Sequence, residues 1–243
     1  MGVQLQGDII HLFLSYFFQF YHPTGSAIPA CSIPPHAILV SQTLRERYSN
    51  LIYPVGSPIL PLAFLSRGPS RRGTLPFSRI NSAPTLFQIE AISRARRSVF
   101  IQTPNLTSRA LIKAIKWTLQ RGVPVTMYLP RNMMVLESIV TGWTTTSCQI
   151  RLLRRWASRH AVTLRVEWFK SDSQQPFKIE ENKSHVKFMV IDEELVILGS
   201  SNLDRASALT SGEVNIAISD PDLPKTFLSA ILRHQSTGHA TAV

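Results

Sequence analysis

The chain of 243 residues is long enough for one large domain, and its hydrophobic share of 44% is normal for a globular core. Its two cysteines, Cys31 and Cys148, are too few and too far apart for a disulfide framework or a zinc site, which permits a reducing compartment. The net charge of +11 is unevenly placed, since residues 67–168 carry 17 Lys and Arg residues and only three acidic ones. This basic third suits a phosphate-bearing partner, such as lipid headgroups or nucleic acid, although a solvated basic face is the alternative.

The first third of the chain predicts little regular structure. Residues 8–21 are the most apolar stretch, but the run is shorter than the about 20 apolar residues that span a bilayer. No Lys or Arg precedes it as in a signal peptide, so we expect a core-packing helix and favour an intracellular location. Residues 22–84 are rich in Pro, Ser and Gly and predict an irregular connector. We therefore expect residues 1–83 to precede a separate domain over residues 84–243.

Helices and strands alternate from residue 84 onward. Helical spacing in residues 85–98 is followed by a short apolar strand over residues 99–104. A second helix is predicted to begin near Thr107 or Ser108 and to end at Gly122, and a strand follows it. Further along the chain come a helix with one apolar and one basic side, over residues 144–161, and a strand over residues 163–169. This alternation predicts an α/β fold.

The most informative stretch covers residues 184–202 and reads SHVKFMVIDEELVILGSSN. Side chains that alternate between apolar and polar predict a strand from residue 185, with His185 and Lys187 on one of its faces. A polar turn and a second strand follow, and later residues predict a strand over 213–219 and a helix over 221–234. The polar residues keep the spacing His-x-Lys-x4-Asp and then Gly-Ser-x-Asn, formed by His185, Lys187, Asp192, Gly199, Ser200 and Asn202.

These residue types can act together on a phosphodiester. The neutral imidazole of His185 is a usable nucleophile and proton carrier near neutral pH, because its reference pKa is about 6.5. The Lys187 ammonium can bind one phosphate oxygen, and the Asn202 amide and the Ser200 hydroxyl can donate to the others. This chemistry needs no metal ion, no carboxylates are clustered at ligand spacing, and no cofactor is expected.

The spaced residues resemble the His-Lys-Asp motif of the phospholipase D superfamily, which includes cardiolipin synthases and phosphodiesterase nucleases. The resemblance extends over more than half of the chain and implies a mixed central β-sheet flanked by helices. It also implies that His185 is the nucleophile, through a phosphohistidine intermediate, or the general acid, and that Lys187 and Asn202 bind the phosphate. Asp192 would be largely structural, and Glu213 would orient the histidine through its second ring nitrogen.

The chain departs from the superfamily in carrying one motif where the active site of these enzymes uses two. None of the other six histidines is followed by x-Lys. Residues 7–23 resemble the segment that follows the first motif in two-motif members, so we expect a chain that corresponds to a C-terminal half. A second motif, supplied by another chain, would then be needed to complete the site.

Three functions fit this resemblance. The first is a phosphodiesterase or phosphatidyltransferase, with phospholipid favoured as the substrate, that is completed in a homodimer and contacts a membrane surface. The second is a nuclease, which is less favoured because the aromatic residues expected for binding single strands are few. The third is a catalytically inactive remnant that keeps the phosphate pocket but lacks the general acid, whose help is worth roughly 10²–10⁴ in rate.

Overall fold

The computed structural model describes residues 61–70, 80–130, 133, 144–171, 184–233 and 235–238. The described strands form one eight-stranded sheet and are β1 (Leu62–Arg67), β2 (Val99–Gln102), β3 (Val125–Leu129), β4 (Leu164–Ser171), β5 (Phe188–Ile191), β6 (Leu195–Gly199), β7 (Glu213–Ser219) and β8 (Gln235–Gly238). The described helices are α1 (Ala83–Arg94), α2 (Arg109–Gln120), α3 (Thr146–His160), α4 (Arg205–Leu209) and α5 (Leu223–Arg233).

The strands follow the order β1-β7-β6-β5-β2-β3-β4-β8 across the sheet. The neighbours β2, β3 and β4 run parallel, and all other neighbouring strands run antiparallel. Parallel neighbours need a crossover connection, and α2 and α3 lie in the two crossovers. The predicted α/β fold, with a mixed central sheet flanked by helices, is confirmed.

Apolar side chains pack against both faces of the sheet. The larger cluster joins α1, α2 and α3 to one face, with fully buried side chains such as Ile101, Ile115 and Met127. The smaller cluster joins α5 to the other face, where Ile231 packs with Phe188. Within the described residues, no helix has the length and apolar character that a bilayer crossing requires.

An edge strand lies where the sequence predicts an irregular connector, and the prediction is wrong for these six residues. β1 pairs antiparallel with β7 along its whole length. The strand reads LAFLSR, an apolar run without the alternation of a half-buried strand, and it stands among Pro, Ser and Gly residues that indicate a connector. β1 therefore joins the same sheet as the elements after residue 84. The helix predicted over residues 8–21 lies outside the described residues.

β5 and β6 form the hairpin that the central stretch predicts. Phe188 and Val190 pack in the smaller apolar cluster and Met189 and Ile191 in the larger one, so side chains alternate between the two faces as predicted. The strand begins at Phe188, however, and not at residue 185. Because all four of its residues are buried, β5 is a central strand that is covered on both faces.

The predicted ends of the second helix agree with those of α2, whereas the first helix, α1, ends at Arg94 and not near residue 98. Ser108, one of the two candidates, is the N-cap of α2, and Arg121 is its C-cap. Gly122 follows with a φ of 82°, the left-handed conformation that closes many helices. The N-cap of α3 is Thr145, whose hydroxyl accepts a hydrogen bond from the Cys148 N–H.

Gly199 allows the end of β6 to approach β7 closely. Its φ is 157°, and a Cβ atom added there would lie under 3.0 Å from the Val214 carbonyl oxygen and the Asn215 Cα. These are backbone atoms of a paired strand, so they cannot move without disturbing the pairing of β6 with β7. The Asn215 side-chain oxygen also accepts from the Ser201 N–H at 3.1 Å, which fixes the chain just after Gly199.

We expect Gly199→Ala to lower the free energy of unfolding by about 3 kcal/mol, because a backbone clash adds to the strain at this φ. Gly122→Ala is the matched control: its φ is also positive, but nothing lies within 4 Å of the added Cβ. The control should lose only about 1–2 kcal/mol. Urea denaturation of both variants measures the difference, and equal losses would contradict the role given to the close approach.

Candidate active site

The residues predicted to act on phosphate meet at one edge of the sheet, where β2 and β6 end and β5 and β7 begin. Phe188 at the start of β5 pairs with Gln102 on one side and with Leu198 on the other. The segment before β5 is fixed by a buried hydrogen bond from the Gln102 side-chain amide to the Ser184 hydroxyl, at 2.8 Å. This bond places His185, the next residue, at the sheet edge.

The side chains of His185 and Lys187 are in direct contact just before β5 begins. The Lys187 Nζ atom lies 2.8 Å from Nδ1 and 2.9 Å from Nε2 of the His185 ring, and it donates to the His185 carbonyl oxygen at 2.9 Å. An ammonium group has donors only, so it can hydrogen-bond the ring only through an unprotonated nitrogen. The contact therefore favours the neutral imidazole.

The pKa of His185 is lowered from its usual value by two effects. Desolvation by neighbouring protein atoms is the larger, and the positive charge of Lys187 is the second. Both keep the imidazole neutral, and so able to act as a nucleophile, at pH values near 6.5 and above. The side chain of His185 is nevertheless exposed, so a substrate can reach it from solvent.

Glu213 at the start of β7 is buried and contacts Ser200. The Ser200 hydroxyl donates to Oε2 of Glu213 at 2.5 Å and accepts from the Val214 N–H at 2.9 Å. Burial raises the pKa of Glu213 and nearby Asp204 raises it further, while hydrogen bonds and the charge of Lys187 act in the opposite direction. Between these described residues, no hydrogen bond joins Glu213 to His185, so the orienting role of Glu213 stays a prediction.

A buried polar network surrounds Asn202, and the sequence does not predict it. The Asn202 amide donates to Oδ2 of Asp204 at 3.0 Å, and the Asn105 amide donates to the same oxygen at 3.4 Å. The other Asp204 oxygen accepts from the Ser207 N–H at 2.8 Å and caps α4. One N–H of the Asn202 amide is thus engaged by Asp204, while the buried Asn202 amide oxygen has no hydrogen-bond partner. Asp is among the residues preferred at a helix N-cap, and this preference is the signal in the sequence that could have indicated Asp204.

Asp192 lies at the opposite end of β5 from His185. Its carboxylate accepts hydrogen bonds from the backbone N–H groups of Arg96, Arg97 and Ser98, at 2.6–3.1 Å. These bonds lower the pKa of Asp192 although desolvation acts to raise it. The four buried residues of β5 separate Asp192 from the other motif residues, and its contacts are those of a structural carboxylate.

The geometry places the exposed imidazole of His185 and the ammonium group of Lys187 at the edge of the sheet that also holds the Ser200 hydroxyl, the buried Asn202 amide and the buried Glu213 carboxylate. Such a set can bind a tetrahedral phosphate and present a nucleophile to it. Across the parts of the chain that the structure describes, no three or more His, Cys, Asp or Glu side chains are grouped so as to hold a metal ion.

Comparison with models of protein families identifies the family of this chain. The family model described as "Cardiolipin synthase, PLD-like domain" matches residues 88–234. The chain belongs to this phospholipase D-like family. The matched residues enclose the whole cluster, from Gln102 on β2 to Glu213 on β7.

Individual relatives agree with this membership. Cardiolipin synthase A of Buchnera aphidicola subsp. Acyrthosiphon pisum (strain Tuc7) is 29% identical over 135 residues, which cover 55% of this chain and 24% of that protein. Cardiolipin synthase A of Proteus mirabilis (strain HI4320) is 30% identical over 133 residues, 54% of this chain and 23% of that protein. The chain thus spans about a quarter of the length of the relatives that it matches.

The phospholipase D-like fold is also seen in a solved structure, the phosphatidylserine synthase of Haemophilus influenzae Rd KW20. The two structures match with a TM-score of 0.51 at 15% sequence identity, and the match covers 74% of this chain and 40% of the synthase chain. At this level of identity the similarity concerns the fold alone.

We expect Asp192→Asn to lower the free energy of unfolding at neutral pH by about 1–2 kcal/mol, because the amide is a weaker acceptor for three backbone N–H groups. Asn tolerates the positive φ of 56° at this position, so the backbone is not the cause. The native pKa is lowered, so the stabilisation by the wild-type carboxylate is complete above its unfolded pKa of about 3.9 and is lost as the pH falls through the lower native pKa.

Urea denaturation at a series of pH values tests this expectation. The difference between wild type and Asp192→Asn should be constant from pH 7 to pH 5 and should shrink below about pH 4. Glu193→Gln, an exposed residue of the same turn with a φ of 58°, is the matched control and should differ little from wild type. A difference that stays constant at acid pH would show that the Asp192 charge is not responsible.

Proposed function

We propose that this chain is a phospholipase D-like phosphodiesterase or phosphatidyltransferase whose favoured substrate is a phospholipid. The observation that carries the proposal is the contact between the Lys187 ammonium and the neutral ring of His185 at an open edge of the sheet. The family membership and the cardiolipin synthase relatives support a reaction at a phosphodiester bond. Ser200 and Glu213 lie at the same edge of the sheet, where β6 ends and β7 begins, and together with Asn202 they are the remaining polar groups of the proposed pocket.

In the proposed reaction, a neutral ring nitrogen of His185 attacks the phosphorus atom. A P–N bond forms, the P–O bond to the leaving alcohol breaks, and the leaving oxygen takes a proton from a second, protonated histidine. Water or another alcohol then gives its proton to that second histidine and attacks, so the P–N bond breaks and the histidine is regenerated. Lys187 binds the phosphate oxygens throughout and stabilises the charge that develops on them.

The second histidine is proposed to come from another chain. His160 is the other histidine among the described residues, and it lies at the last position of α3. That helix begins near the site, since the Thr146 hydroxyl accepts from the Leu106 N–H at 3.0 Å, and its 15 residues make it about 22 Å long. His160 is also stacked on Trp156, with ring centroids 4.4 Å apart. It is therefore placed too far from His185 to serve as its acid.

Two other functions stay open as alternatives to this proposal. A nuclease would use the same pocket, because its substrate presents the same phosphodiester group. An inactive remnant would bind phosphate without turnover, and the exposure of His185 with no second histidine described beside it favours this alternative over a chain that is active alone.

We expect His185→Ala to reduce phosphodiester cleavage at least 10²-fold, because it removes the proposed nucleophile. The substrates are phosphatidylglycerol and single-stranded DNA, and the mass of the chain in solution is measured alongside. His160→Ala is the matched control and should keep wild-type activity. Turnover of the lipid favours the phosphatidyl reaction, and turnover of the DNA alone favours the nuclease.

Co-refolding wild type with His185→Ala in equal amounts tests whether two chains share one site. If each site needs a His185 from both chains of a dimer, the activity per wild-type chain should fall to about half, because half of its partners are inactive. If one chain suffices, the activity per wild-type chain stays unchanged. A monomer without His185-dependent turnover would rule out the enzyme and leave the remnant.

A further inference from the structure

The helices α2 and α3 lie side by side on one face of the sheet. Leu111, Ile115 and Leu119 of α2 are buried in the same apolar cluster as Ile150 and Leu153 of α3. The two helices touch, and Lys116 of α2 reaches over the Trp156 ring of α3, with Nζ 5.2 Å from the ring centroid. Because the buried residues face the sheet, the residues on the opposite sides of both helices form one continuous outer surface.

This outer surface, which we call the α2–α3 face, carries positive charge only. The two helices together contain seven Arg and Lys residues and no Asp or Glu. These seven belong to the 17 Lys and Arg residues of the basic third of the sequence. We define the face by Lys113, Lys116, Trp117, Arg151, Leu152 and Arg155.

Two large apolar side chains on this face point into solvent. Trp117 is 56% exposed and Leu152 is 51% exposed, although both belong to residue types that are usually buried. Cations flank both, since Lys113 and Lys116 lie within one turn of Trp117 and Arg151 and Arg155 lie within one turn of Leu152. We infer that the α2–α3 face docks on the surface of a membrane that contains anionic lipids.

A lipid surface accommodates all three kinds of side chain at once. Lys and Arg contact anionic headgroups, an indole ring prefers the headgroup level, and a leucine can enter the boundary of the acyl chains. Nucleic acid would attract the cations but would leave Leu152 in water. A second copy of this face would bring two sets of cations together without any acid to pair with them, so like charges would repel.

The position of the face also fits a site that acts on lipids. Both helices begin at the edge of the sheet that holds His185, because the Ser108 N–H before α2 donates to the Leu203 carbonyl oxygen at 3.2 Å and Thr146 of α3 binds the Leu106 N–H. Docking through this face would hold the edge of the sheet close to the lipid headgroups. Docking itself needs no turnover and depends only on the charge and exposure of the face.

The test is sedimentation of the full chain with vesicles of phosphatidylglycerol and, separately, of phosphatidylcholine. The wild type should bind phosphatidylglycerol vesicles more tightly, and added salt should weaken this binding. The double variant Lys113→Gln with Arg155→Gln should bind them about 10- to 30-fold more weakly, since each charge near an anionic surface contributes about fivefold. Lys225→Gln on α5, an exposed cation on the other side of the sheet, is the matched control and should change little.

Fluorescence gives a second, independent measurement on the same vesicles. The wild type should show a blue shift of tryptophan emission that Trp117→Phe lacks. His185→Ala should bind vesicles as the wild type does, so loss of docking and loss of the proposed activity are distinguishable. Any one of four results would overturn the inference. The first two are equal binding to both lipids and unchanged binding of the double variant. The other two are a defect of the double variant in single-stranded DNA binding alone and a dimer that the double variant abolishes.

Discussion

The ammonium group of Lys187 against the ring of His185 is the interaction on which the candidate site depends. An ammonium can donate to this ring only while a ring nitrogen is unprotonated, and a protonated ring would place two cations in contact. The same charge that would bind a phosphate therefore also keeps the proposed nucleophile neutral. The hydrogen bond between Gln102 and Ser184 supports the pair, because it fixes the chain immediately before His185.

The spacing of the motif has a physical explanation in the structure. The four residues between Lys187 and Asp192 are the whole of β5, and all four are buried between the two apolar clusters. His185 and Lys187 precede the strand and make the site, while Asp192 follows it and ties the turn to the backbone N–H groups before β2. β5 thus connects the residues of the candidate site to the carboxylate that fixes the turn, and a change in the length of β5 would displace one or the other.

Regular periodicity made most of the fold predictable, and long-range pairing accounts for what was missed. The alternation in β5 and β7 and the capping of α2 were visible in the sequence, because each depends on neighbouring residues. β1 is held mainly by pairing with β7 from more than 140 residues away, and its own residues give little signal. The Asn202, Asp204 and Asn105 network likewise joins residues about 100 positions apart, and the bond of Glu213 to Ser200 depends on how β7 meets the end of β6.

The pKa of His185, followed by NMR titration with and without inorganic phosphate, is the most direct test of the proposed pairing of His185 with Lys187. We expect the pKa of His185 in the free chain to lie below the usual value of about 6.5, because desolvation and Lys187 both lower it. Bound phosphate should raise this pKa, because its negative charge offsets the positive charge of Lys187. In Lys187→Met, the pKa of His185 should already be higher without phosphate and should change little when phosphate is added. A pKa of His185 at its usual value, changed neither by phosphate nor by the loss of Lys187, would show that Lys187 does not hold the ring neutral.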